Sequence, residues 1–164
     1  MKTEINNELI RSFKPCYNPS EVGIPEDESL SIKEWILKYK DIVKNKKDII
    51  WLICRKDFMS DKDMRLFAVF CARQALKFVE NPDIWSINAV DVAERYACGE
   101  ATLEELKIAH ETAKHAYYAT NTAFYAYHAV YYATAVNVSV RAVTINGAAK
   151  AREEQIQQLL TYFK

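Results

Sequence analysis

The chain has 164 residues, half of them hydrophobic and only three of them Gly, and its Lys plus Arg equal its Asp plus Glu at 22 each. That length suits one domain with a sizeable core, the scarcity of Gly favours helices over turn-rich β structure, and the charge balance provides no net field to gather nucleic acid. Cys16, Cys54, Cys71 and Cys98 form no CxxC pair, and the opening MKTEINNELIRSF lacks a signal-type apolar stretch, so a reduced, cytoplasmic protein is expected.

Residues 1–30 read as an irregular N-terminal arm. Pro15, Pro19, Pro25 and Gly23, with the acidic cluster Glu26, Asp27 and Glu28, break any helical period. Tyr17, Val22 and Ile24 are the arm's packing candidates, and Asn6 to Phe13 admits a short helix. Residues 31–164 read as a helical bundle domain. Ser31 with Glu34 predicts a capped helix whose stripe is Trp35, Ile36, Tyr39, Ile42 and Val43, with Lys33, Lys38, Lys40 and Lys44 in water. The KNKK run at 44–47 reads as a solvated turn. A second helix, Lys47 to about Lys56, is apolar on more than one stripe and is expected to be largely buried.

Ser60 and Asp63 open a third helix carrying Met64, Leu66, Phe67, Phe70, Cys71, Ala75, Leu76 and Phe78. Arg65 and Arg73 interrupt its apolar surface, either as surface cations or as buried partners of Asp91 or Glu94. A fourth helix, from about Pro82 to Ala97, has Trp85, Ile87, Val90, Val92 and Ala93 as core candidates, and Gly99 suits the left-handed residue that stops it. Thr102 and Glu105 form a capping-box pair that starts the next helix. Cys54, Cys71 and Cys98 lie inside helical patterns, where a free thiol acts as a small core residue.

The stretch from His115 to Val140 contains no Asp, Glu, Lys or Arg. Ala116, Ala119, Ala123, Ala126, Val130 and Ala133 recur in steps of three and four, which aligns them on one helical stripe. Tyr117, Tyr118, Phe124, Tyr125, Tyr131 and Tyr132 fall roughly 130° away. The longest nearly apolar run, 123–136, is shorter than the roughly 18–20 residues of a membrane span, and no membrane partner is expected. A base-stacking platform would pair its aromatics with cations, which this stretch lacks, so the rings are read as core or interface. After the β-branched residues 138–145 and Gly147, a final helix over 148–163 places Ile156, Leu159, Leu160 and Phe163 on one face. The expectation is an all-α, single-domain bundle of five to seven helices around a central Ala/Tyr-rich helix, with no sheet.

Catalytic patterns are scarce. His110 and His115 are five residues apart and point roughly 140° from each other, so one helix face cannot bring both to a metal. No Glu has a His three residues later, so the Glu-x-x-His signature of di-iron bundles is missing. Glu111 and His115 read as helix support. His128 stands alone, and no phosphate loop, G-x-S-x-G or dinucleotide fingerprint occurs. No catalytic, cofactor or metal residue is assigned.

Two runs carry a resemblance: RLFAVFCARQALKFVENPD at 65–83 and AVDVAERYACGEATLEELKIAHETAKHA at 89–116. The chain from about 30 to 163 resembles a helical family of immunity proteins found in bacteria and their phages. The matched features are the Arg-Leu-Phe-Ala start with Cys-Ala-Arg (Arg65 to Ala68, Cys71 to Arg73), the segment from Ala93 to Leu106, and the Ala-rich tail with recurrent Tyr. The tail departs from the family between 134 and 147, where Val, Asn and Thr replace Ala and Arg. The resemblance implies a cytosolic protein that neutralises a cognate toxin by stoichiometric binding, and it carries over no site residues. The acidic patch from Glu21 to Glu28 is a local surface that would speed association with a basic toxin. The alternatives are a self-association module seamed by the Ala stripe, and a small-ligand binder using the Tyr-lined interior with His110 or His128.

Overall fold

The computed structural model describes residues 1–77, 81–120 and 149–164, with the backbone alone at Ala75 and at residues 114–120 and 149–150. The architecture is all-α. Seven α-helices, one 3-10 turn and one two-stranded sheet are present among the described residues. The contacts divide the chain into two compact units, Met1–Met59 with Ala149–Lys164, and Ser60–Ala148.

In the first unit the N-terminal segment is ordered structure, which corrects the expectation of an irregular arm and of no sheet. Strand β1 (Glu4–Asn6) pairs antiparallel with β2 (Ser29–Ser31), matching Ile5 with Leu30. Helix α1 (Asn7–Ser12) follows directly, and the Asn6 side chain accepts from the Leu9 N–H to cap it. A 3-10 turn (Pro19–Val22) then ends at Gly23, whose φ of 86° is left-handed. The prolines do break the helical period, but the segment they punctuate folds back and buries Ile5, Ile10 and Ile24. Buried Asn7 ties the return by donating to the Ile24 and Pro25 carbonyls at 2.9 and 3.1 Å.

Two members of the acidic cluster are engaged within this unit. Glu26 accepts from Arg11 and Ser20, and Glu28 accepts from Lys38 and the Tyr39 hydroxyl. The hydrogen bonds from Arg11 and Ser20 hold the Glu26 carboxyl at about 2. A carboxyl depressed in the folded state stabilises it above the unfolded value near 4.3, and that contribution is lost as pH falls through the folded value. Acid should therefore loosen the 1–26 contacts between about pH 4 and pH 2. Amide exchange of α1 against pH checks this, and Glu26→Gln should flatten the dependence in that window.

The body of the first unit is α2 (Ile32–Tyr39), α3 (Lys46–Ile53) and α7 (Ala149–Leu160). Ser31 and Glu34 form the full capping box. Trp35, Ile36, Tyr39 and Val43 are buried, but Ile42 is 50% exposed. Helix α2 ends at Tyr39, so the helical angle that placed Ile42 on the stripe no longer applies there. Asn45 caps α3, and Lys46 and Lys47 are its first turn rather than part of a solvated connection. Ile49, Ile50, Leu52 and Ile53 are fully buried and Trp51 partly so. Helix α7 packs on α3 and α2 through buried Ile156 and Leu159, with Lys46 paired to Glu153 at the edge.

The second unit is built from α4 (Asp61–Leu76), α5 (Ile84–Cys98) and α6 (Leu103–Thr120). Ser60 accepts from the Asp63 N–H at 3.0 Å, as its spacing predicts. Val69, Ala72, Ala89, Val90, Ala93, Leu106, Ala109 and Ala113 form one buried cluster. Its many alanines let the helices approach closely. Between α5 and α6 the GEATLEEL run works as a stop and a start. Gly99 has a φ of 80°, its N–H donates to Tyr96 O, and the Glu100 N–H donates to Arg95 O. That is a Schellman ending. Thr102 and Glu105 then bond reciprocally, side chain to backbone in both directions. A Cβ at Gly99 would meet nothing within 4 Å, so Gly99→Ala tests backbone conformation alone. It should destabilise the second unit by about 1–2 kcal/mol, read by thermal melting.

Most of His115 to Val140 lies outside the described residues, as do the expected burial of Ala119, Ala123 and Ala126 and the packing of the tyrosines. Within the description, α6 continues to Thr120. Among the described residues no helix is long and apolar enough to cross a membrane.

Candidate functional site

The two runs that carry the resemblance fold as α4, α5 and the start of α6, in one unit. Arg65 sits over the Tyr96 ring at 5.3 Å. Arg73 bridges from α4 to Asp91, at 2.9 Å, and to Glu94 on α5. The partners anticipated for Arg73 are therefore correct, but their burial is not. All three side chains are 43–50% exposed, so the cluster is a surface bridge of modest worth.

The histidine and cysteine expectations divide. His110 Nδ1 lies 3.4 Å from Glu111 Oε1. The side chain of His115, its pairing with Glu111, and His128 lie outside the described residues. Among the described residues no group of three or more His, Cys, Asp and Glu is placed to hold a metal ion. All four cysteines are free thiols. Cys54 and Cys71 are buried as expected, whereas Cys98 and Cys16 are exposed. Cys98 is the last residue of α5, where the Schellman turn leads the chain away from the core.

The apolar surface of this unit is what the helical pattern failed to anticipate. Trp85, expected in the core, is 52% exposed, and its neighbour Ile84 is 65% exposed. The buried stripe of α5 is Ser86, Ala89, Val90, Ala93 and Ala97, and it begins one residue after Trp85. Asp83 caps the helix by accepting from the Ser86 N–H at 2.9 Å and from its hydroxyl at 2.6 Å. That cap turns Ser86 inward and leaves Ile84 and Trp85 on the outer side of the first turn. On α6, Leu103 and Ile108 are exposed as well. Trp is among the residues enriched at binding hot spots.

The described residues define an all-α protein with a surface-displayed Trp–Ile pair at the start of α5. No protein-family model, curated protein or solved structure matches the chain.

Proposed function

We propose that the chain is an immunity-type protein that binds a cognate bacterial toxin stoichiometrically and neutralises it. Supporting this reading, the segments that carry the resemblance form a single helical unit, and that unit displays Trp85 beside Ile84 at the start of α5. Trp85 acts as the anchor of the interface, with Ile84 beside it and the exposed, polar Asn88 one turn on as part of its rim. Within the acidic run from Glu21 to Glu28, Glu26 and Glu28 are already engaged by Arg11, Lys38 and Tyr39, while Glu21 and Asp27 remain exposed. The reading rests on apolar anchoring at Trp85 more than on electrostatic steering.

The test is co-expression with the product of the neighbouring gene, followed by a pull-down and a growth-protection assay. Co-purification at a fixed ratio with rescue of growth is the expected result, and absence of rescue removes the reading. Trp85→Ala should weaken the complex by roughly 30-fold or more, the effect of losing a hot-spot side chain. The melting curve of the free protein should stay where it is, since half of this ring already faces solvent.

A further inference from the structure

We infer that Arg55, Trp51, Phe13 and Tyr17 form a binding site for an oxyanion, a carboxylate or phosphoryl group received on the edge of the Arg55 guanidinium. The four residues come from three segments of the first unit. Trp51 is on α3, Arg55 lies just beyond its end, and Phe13 and Tyr17 belong to the chain after α1. The guanidinium carbon lies 4.1 Å from the Trp51 ring centre and 4.5 Å from that of Phe13. Phe13 is itself set edge-on against Phe58, with ring centres 5.9 Å apart.

Contact with aromatic rings uses the faces of a guanidinium and leaves its in-plane N–H donors for other partners. Here those donors are poorly used. The Arg55 Nε is buried without an acceptor. By contrast, Arg11, Arg73 and Arg95 each reach a carboxylate. The hydroxyl of Tyr17 is a second buried polar atom without a partner. Burial, reinforced by Asp48, pushes this phenol up to about 12, while nearby Arg55 pulls the other way. Tyr17 is therefore a protonated donor at neutral pH. A further cation borders the same ring, since Lys2 Nζ is 6.0 Å from the Phe13 centre and the Lys2 N–H donates to Asp57 O.

Asp57 supports the charge of Arg55, yet burial prevails and lowers its pKa. Burial thus outweighs the attraction of Asp57, and the site offers donors that no acceptor engages. Buried donors ordinarily have acceptors, and a guanidinium fork presents two parallel N–H groups that match a carboxylate or phosphate. Arg55 as a whole is only partly buried, although its Nε and the Tyr17 hydroxyl lie beneath the surface.

The experiment uses the full chain labelled with 15N and follows the Arg55 Nε–H resonance during titration with sodium acetate and, separately, inorganic phosphate. Sodium chloride at matched ionic strength is the control. A saturable shift with either oxyanion and none with chloride is expected, and the tighter of the two identifies the group. Arg55→Lys keeps the charge but not the fork and should weaken binding by about tenfold or more. Tyr17→Phe should weaken it several-fold. No saturable shift with either anion overturns the inference, and so does undiminished affinity in Arg55→Lys. The resonance of the unsubstituted protein decides the matter even if a variant fails to fold.

Discussion

Ile5→Ala is expected to lower the stability of the first unit by about 2–5 kcal/mol, the cost of emptying a fully buried aliphatic site. Ile5 is completely buried although its strand is three residues long. Its pairing with Leu30 joins the N-terminus to the residues immediately before α2. If residues 1–30 were a loose arm, the substitution would change almost nothing. Urea unfolding followed through amide exchange in α1, α2 and α3 separates these outcomes. An unchanged midpoint would show that the sheet does not contribute to the fold. Lys2→Ala offers a contrast, because its side chain is exposed and only its backbone holds Asp57.

A loss of similar size, about 2–5 kcal/mol, is expected for Leu106→Ala in the second unit. Leu106 has no exposed surface and sits among Val90, Ala93 and Ala109. Leu106 is the largest fully buried side chain of that cluster, so its truncation leaves a cavity. Leu103→Ala is the internal control. It lies three residues earlier on the same helix but is 48% exposed, and it should move the midpoint by less than about 0.5 kcal/mol. Equal effects at the two positions, read by thermal melting, would show that the face of α6 is assigned wrongly.

What could be read from the chain and what could not follow the range of the interactions involved. Ser31 with Glu34, Ser60 with Asp63, and Thr102 with Glu105 are closed over three residues, so spacing alone predicts them. The same holds for Gly99, where a left-handed turn is needed within the residues of the turn itself. The buried stripes of α4 and α5 were legible in part: Met64, Phe67, Cys71, Val90, Val92 and Ala93 are buried as predicted, whereas Leu66, Phe70, Leu76 and Ile87 are only partly so. The candidate surface was not legible, because Trp85 looks like a core residue until the Asp83 cap sets where the stripe begins.

The amino-acid sequence by itself determined the helical class, the helix starts at Ser31, Ser60 and Thr102 and the stop at Gly99, all through contacts closed within a turn or two. Only the tertiary structure decided that Ile5 reaches Leu30, that Lys46 meets Glu153, and that Phe13 comes to Arg55. Those partners are separated by 25 to 107 residues, or by a segment full of prolines, and no local periodicity encodes a contact whose ends are brought together by the packing of everything between them.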